Sequence, residues 1–191
     1  MGFIELIYDY FEDHVRAAGV VKERRPLAFG VLCFLIGGVS LFMAQALSQR
    51  LFFSVSWSSC ALVLLWKLSA GFLLVAVLHL ILDMEGYQGS AAGLFVHFGL
   101  AELAWAMAIP MIIVARLSPG GFSWIAPLIF FFVGLLSIGL KARSLQDNYN
   151  LSAGRAWMTL SIPYLAVFLV GLLAFSLALI SLIMQFVKGF N

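Results

Sequence analysis

Charged residues are scarce in this chain: Asp, Glu, Lys and Arg make up 10% of its 191 residues, whereas hydrophobic residues make up 63%. Soluble domains contain roughly 25% charged residues, so this composition excludes an ordinary water-soluble domain. The formal net charge is only +2, which excludes the extensive basic surface of a nucleic-acid-binding protein. We therefore predict no nucleic-acid partner.

Recognisable catalytic motifs are also absent from the sequence. No Ser or Cys lies in a Gly-rich elbow, and there is no phosphate loop, zinc-protease helix or pair of catalytic carboxylates. The two cysteines, Cys33 and Cys60, fall on opposite sides of the predicted membrane, much farther apart than the ~7 Å between Cα atoms that a disulfide tolerates. We therefore predict no enzymatic activity, no catalytic residue, no cofactor and no disulfide.

Five long apolar runs occupy most of the chain, at residues 27–47, 60–82, 94–115, 122–140 and 163–187. A helix of about 20 residues crosses the ~30 Å hydrocarbon core of a bilayer. Lipid cannot hydrogen-bond to the backbone, so each run should be helical. The sequence predicts an all-α integral membrane protein. Five transmembrane helices form one domain over residues 26–191, and residues 1–25 form a cytoplasmic amphipathic helix and basic segment.

The N-terminal segment has the pattern of an amphipathic interfacial helix. At 100° per residue, one face is apolar, with Phe3, Ile4, Ile7, Phe11, Val15 and Ala18. The opposite face carries the candidate partner-binding acids Glu5, Asp9, Glu12 and Asp13. Such a helix lies on a membrane surface with its apolar face down. The helix is then either a plain membrane anchor or a docking face. As a docking face, its acids bind either a partner or the protein's own basic residues Lys141, Arg143 or Arg155.

The distribution of basic residues predicts the orientation. Seven Lys and Arg residues lie before the first span or between the fourth and fifth, and three lie on the other side. Cytoplasmic segments carry the excess of Lys and Arg. We therefore expect the N-terminus in the cytoplasm and the C-terminus outside.

Two charges fall inside predicted spans, where they are functional candidates by default. Lys67 lies about two turns inside the second span, and Glu102 lies near the middle of the third. Lys67 either extends its ammonium to the surface or pairs with Glu102. Glu102 is then a structural ion pair, a neutral buried acid, or a proton or ion site.

A third polar group comprises His79, Asp83 and His97. His79 and Asp83 are four residues apart and share a helix face, and His97 lies at a similar depth on the next span. Two imidazoles and a carboxylate are possible metal ligands. However, the pattern lacks a dedicated ligand motif and a nearby cysteine, so it favours ordinary hydrogen bonding and we predict no metal.

An ordered set of residues resembles the Yip family of Ypt/Rab-interacting membrane proteins, in its bacterial branch. These residues are Leu78-His79-Leu80, Gly86-Tyr87-Gln88-Gly89-Ser90, Pro110, Leu151-Ser152-Ala153-Gly154-Arg155-Ala156 and Pro163. The resemblance covers residues 65–185 and implies five spans, a cytoplasmic N-terminus, a bacterial inner membrane and no known enzymatic activity. Eukaryotic members interact with small GTPases, but their Asp-Leu-Tyr-Gly-Pro motif is missing here, so that role is not carried over.

Together these features predict a non-enzymatic multi-pass protein that organises or binds other membrane components. Its expected partners are the lipid bilayer and either other membrane proteins or further copies of itself. The alternative is a small permease or channel-like transporter that uses Glu102, Lys67 and the His79/His97 region. A water-filled cavity at Glu102 would favour the transporter, and a dry bundle would favour the first interpretation.

Overall fold

The computed structural model describes residues 3–12, 16, 19, 21, 26–51, 54–117 and 122–189. Within these residues every regular element is helical: α1 (Phe3–Glu12), α2 (Leu27–Leu47), α3 (Trp57–Met84), α4 (Ala91–Glu102), a 3₁₀ segment (Leu103–Met107), α5 (Ala108–Arg116), α6 (Phe122–Tyr149) and α7 (Ala153–Gly189). The predicted all-α architecture is confirmed. Asp13 and the basic residues Lys22, Arg24 and Arg25 lie outside the described residues.

Five helices are long and apolar enough to cross a membrane: Leu27–Leu47, Trp57–Met84, Ala91–Arg116, Trp124–Tyr149 and Ala153–Gln185. The protein is thus a multi-pass membrane protein. The first span coincides with its prediction, and the other four extend beyond their apolar runs. We call the end of the bundle that holds Met84, Ala91 and Tyr149 the proximal end, and the opposite end, which holds Leu47 and Arg116, the distal end.

Serine side chains cap the N-termini of three helices. Ser56 Oγ accepts a hydrogen bond from the Ser59 amide at 3.2 Å, and Ser90 Oγ accepts one from the Gly93 amide at 3.2 Å. Ser152 Oγ accepts one from the Arg155 amide at 3.4 Å and so caps the start of α7. Each bond satisfies an amide that the first helical turn leaves without a carbonyl partner.

One predicted loop is wrong. The polar residues 141–150, between the fourth and fifth apolar runs, read as a loop in the sequence, but α6 continues to Tyr149, because its polar residues keep a buried stripe of Ser137, Ser144 and Asn148 on one face. The sequence allows a helix from Ala153 onward, and α7 begins at that residue. Ala156 and Leu160 of these first turns are packed in the main buried cluster, which stabilises them as helix.

Helices α2 and α4 approach each other closely through Gly30, Gly37 and Gly99. A Cβ atom on Gly99 would lie 2.5 Å from the Gly30 carbonyl oxygen, and one on Gly37 would lie 2.5 Å from the Glu102 carbonyl oxygen. Small residues allow this contact between membrane helices, where packing rather than water drives association. The crossing brings the backbone of α2 directly beside Glu102.

Helix α1 packs on the bundle with a different face from the predicted one. Leu6 and Tyr10 are buried with residues of α2 and α4, whereas Ile4 and Phe11 are exposed. The Tyr10 hydroxyl hydrogen-bonds to Ser144 Oγ at 2.9 Å, which satisfies its polar end and allows a tyrosine to be fully buried. Helix α1 is therefore attached to the proximal half of α6.

Candidate functional site

Glu102 is 3% exposed and lies between two lysines from different helices. Lys67 Nζ of α3 donates to its Oε2 atom, and Lys141 Nζ of α6 donates to its Oε1 atom. We call these three residues the Glu102 triad. Of the two alternatives for Lys67, the structure shows the pair with Glu102 rather than an ammonium that extends to the surface. The triad links α3, α4 and α6 by charge-assisted hydrogen bonds, which are stronger than neutral ones.

The backbone around Glu102 departs from a regular α-helix. A 3₁₀ segment, Leu103–Met107, follows it directly, and Pro110 lies one turn further on. Proline removes an amide donor and its ring contacts the carbonyl four residues earlier, which disturbs the preceding turn. The 3₁₀ segment therefore has a local cause in the sequence, and it sets the direction of the chain immediately after the acid.

Each lysine of the triad also lies over an aromatic ring. Lys67 Nζ is 5.4 Å from the Trp105 ring centroid, and Lys141 Nζ is 5.9 Å from the Phe98 ring centroid. Cations are attracted to aromatic faces within about 6 Å of the centroid. These rings partly replace the water that the two ammonium groups lose, so both cations are stabilised at membrane depth.

Lys141 is the functional residue that the sequence reasoning missed, because it was placed in a loop beyond the fourth span. The continued helix brings it about 12 Å inside the proximal end of α6, counting 1.5 Å per residue back from Tyr149. A usable signal was present: Ser137, Lys141, Ser144 and Asn148 repeat at intervals of three and four residues, as one face of a helix does.

The histidines and Asp83 do not converge on one point. His79 Nδ1 lies 2.7 Å from Tyr149 Oη, and both His79 and Asp83 line a groove of α3. His97 is buried instead beside α1, with its ring centroid 6.0 Å from that of Tyr10. Among the described residues no three His, Cys, Asp or Glu side chains form a possible metal site.

The acidic face of α1 is only partly available to a partner. Glu5 and Glu12 are exposed, but Asp9 is buried and pairs with Arg16 at 3.4 Å. The prediction that Asp9 belongs to an exposed docking face is therefore wrong, because Leu6, Asp9 and Tyr10 share the face that contacts the bundle. Asp13 lies outside the described residues.

Two of the bases proposed to face these acids pair elsewhere. Lys141 belongs to the Glu102 triad, and Arg155 pairs with Glu85 near the proximal end. Helix α1 still contacts the segment that contains Arg143, but it does so through the hydroxyl of Tyr10 and Ser144. The contact between the two segments is thus a buried hydrogen bond rather than a row of ion pairs.

The geometry of the triad suits a structural role. Both carboxylate oxygens of Glu102 accept from ammonium groups, and breaking a buried ion pair is costly. The arrangement therefore fixes three helices relative to each other rather than presenting an acid to water.

No family model matches the chain, and no curated protein or solved structure is significantly similar to it. The resemblance to the Yip family stays a prediction.

Proposed function

We propose that this chain is a non-enzymatic multi-pass membrane protein that binds another membrane protein through α7. The observation that carries this proposal is the exposure of that helix. In the most apolar stretch of α7 none of the residues is buried, whereas half are buried in α2. A span that contributes so little to its own bundle leaves most of its length open to a neighbouring helix.

The contact of α7 with its own bundle is confined to its first turns. Ala156, Thr159 and Leu160 are buried, and from Tyr164 to Gln185 every side chain is exposed. The buried clusters of the bundle include no residue of α7 beyond Leu160. The helix is therefore attached at the proximal end and unpartnered across the membrane.

One face of α7 has the composition of a helix–helix contact. Gly171, Ala174, Ala178 and Ser181 follow intervals of three, four and three residues, which places them in one stripe. Small residues at such intervals let two membrane helices approach closely. We infer that this stripe meets a helix of a second chain, and a second copy of this protein is the simplest such partner.

Cysteine crosslinking in native membranes tests this proposal. In a chain whose Cys33 and Cys60 are replaced by Ala, Ala174→Cys and Ala178→Cys should each give a disulfide-linked dimer on mild oxidation. Leu173→Cys and Ile180→Cys, which point to the opposite face, are the matched controls and should stay monomeric.

A heterologous adduct at the stripe, identified by mass spectrometry, would replace the second copy by another membrane protein. Equal reaction at all four positions, or none at the stripe, would contradict a specific α7 contact and hence the proposed function.

The orientation and the location in a bacterial inner membrane belong to the same proposal. Because Lys141 lies inside the bundle, the basic residues divide six to three rather than seven to three, which keeps the sign of the bias. A reporter active only outside the cytoplasm should therefore be active after Asn191 and inactive at Asp147. The reverse pattern would overturn the orientation and leave the α7 proposal untouched.

The permease alternative receives less support from the structure. It requires an acid that exchanges with water, and Glu102 accepts from two ammonium groups while its side chain is only 4% exposed. We therefore favour a binding role over transport.

A further inference from the structure

A second surface of the bundle, separate from α7, is a deep apolar groove between α2, α3 and α4. Its volume is about 1060 Å³, and its walls include Val31, Phe72, Val75 and Phe95. Along α3 it extends from Leu68 to Asp83, which is about 22 Å at 1.5 Å per residue. Half of a hydrocarbon core is about 15 Å thick, so the groove can hold an acyl chain from one leaflet along its full length.

The ionisable side chains of the groove lie at its proximal end. His79 and Asp83 line it there, and Asp83 is exposed. Among the described residues that line the groove there is no Lys or Arg. The carboxylate of Asp83 attracts a positively charged headgroup and disfavours an anionic one.

His79 supplies a complementary hydrogen-bond donor. Its Nδ1 atom lies 2.7 Å from the Tyr149 hydroxyl. When the hydroxyl donates this bond, the neutral imidazole carries its proton on Nε2 and can donate to a ligand oxygen. A carboxylate and an imidazole N–H one helical turn apart thus offer an acceptor for an ammonium group and a donor for a phosphate oxygen.

The partner of His79 is positioned by the loop between α3 and α4. The Tyr149 ring packs against Gly89, where a Cβ atom would overlap it. The neighbouring Asn148 Nδ2 donates to the Ser90 carbonyl at 2.9 Å. The end of α6 is therefore fixed on this loop, and the polar end of the groove is built rather than incidental.

We propose that this groove is a binding site for an aminophospholipid of the phosphatidylethanolamine type. One acyl chain lies along α3, the ammonium group pairs with Asp83, and His79 donates to the phosphate. The site involves no residue of α7, so its existence does not depend on the proposed contact of that helix.

Native mass spectrometry of the full chain in detergent tests the site, with dioleoyl phosphatidylethanolamine and dioleoyl phosphatidylglycerol as probes. We expect at least fivefold tighter binding of the ethanolamine lipid, and we expect Asp83→Asn to abolish that preference. Glu85→Gln is the matched control, because this nearby carboxylate pairs with Arg155 instead, and it should keep the preference. Ala76→Phe, which fills the groove wall, should weaken binding of both lipids.

A third lipid tests the site on the unmodified chain, so that the result does not depend on whether the variants fold. N-acetyl phosphatidylethanolamine keeps the phosphate and the acyl chains but lacks the ammonium group, so it should bind no better than the glycerol lipid. Equal binding of all three lipids, a preference for the glycerol lipid, or an unchanged preference in Asp83→Asn would overturn the proposal. If the Ala76→Phe variant no longer forms a dimer but still binds lipid, the groove is instead a contact surface for a second copy of the chain.

Discussion

Replacing Glu102 by Gln should destabilise the bundle strongly, because it removes one negative charge and leaves two buried cations. The side chains of Lys67 and Lys141 are only 17% and 11% exposed. Removing one partner of a buried ion pair typically destabilises a protein by about 3–5 kcal/mol. Glutamine keeps the shape of the side chain and one acceptor oxygen, so the loss reports charge rather than packing.

The effect of Lys141→Met on the free energy of unfolding should have opposite signs in the unmodified chain and in the Glu102→Gln variant. Lys141→Met alone removes a favourable partner of Glu102 and should destabilise the protein. In the Glu102→Gln background the same change removes an uncompensated cation and should stabilise it. Neighbouring residues of this kind couple by about 0.5–3 kcal/mol in a double-mutant cycle, so the effect of Lys141→Met should differ by this much between the two backgrounds.

The cycle needs the free energies of unfolding of four proteins: the unmodified chain, Glu102→Gln, Lys141→Met and the double variant. Each is measured by reversible unfolding in mixed micelles, which are titrated with sodium dodecyl sulfate and followed by circular dichroism. Glu85→Gln is the control, because the side chains of Glu85 and Arg155 are 30% and 40% exposed and exposed pairs contribute about 0–1 kcal/mol. A Glu102→Gln variant as stable as Glu85→Gln, or a Lys141→Met change with the same sign in both backgrounds, would refute the triad as a structural ion cluster.

Two further predictions concern packing. Gly37→Ala should destabilise the bundle by about 1–3 kcal/mol through overpacking against the Glu102 backbone, whereas Gly139→Ala, with nothing within 4 Å of its Cβ, should be neutral or stabilising in the same unfolding assay. Burial raises the pKa of Tyr10, so its contribution to stability is complete below pH about 10 and falls above it. Tyr10→Phe should therefore flatten the loss of stability above pH about 10, and an equally steep loss would show that Tyr10 is accessible.

The five spans were predictable because hydropathy acts over about 20 residues at once and needs no tertiary information. The close approach of α2 at Gly30 and Gly37 was also predictable, since small residues in a span have few other uses. The helix ends were less predictable. The apolar run stops at Leu140, but α6 continues to Tyr149 because its neighbours in the bundle supply buried partners for polar side chains.

The difference between the predicted and observed ends of α6 limited what could be inferred about Glu102 from the sequence. With α6 ending at Leu140, Lys141 belonged to a loop, and Lys67 was the nearest opposite charge. Only the position of α6 in the bundle brings Lys141 to the second carboxylate oxygen. The docking face of α1 was missed for a related reason, because Tyr10 is buried by a hydrogen bond to Ser144 that no local pattern indicates.

The triad and the exposed helix α7 have a common physical basis. In lipid, apolar contact alone gives helices little reason to prefer protein over solvent, so association depends on close packing and polar bonds. Close glycine contacts join α2 to α4, and the Glu102 triad joins α4 to α3 and α6. Helix α7 has neither beyond its first turns, where Arg155 pairs with Glu85. In the proposed assembly, the small residues of its exposed stripe would supply this close packing against a second chain.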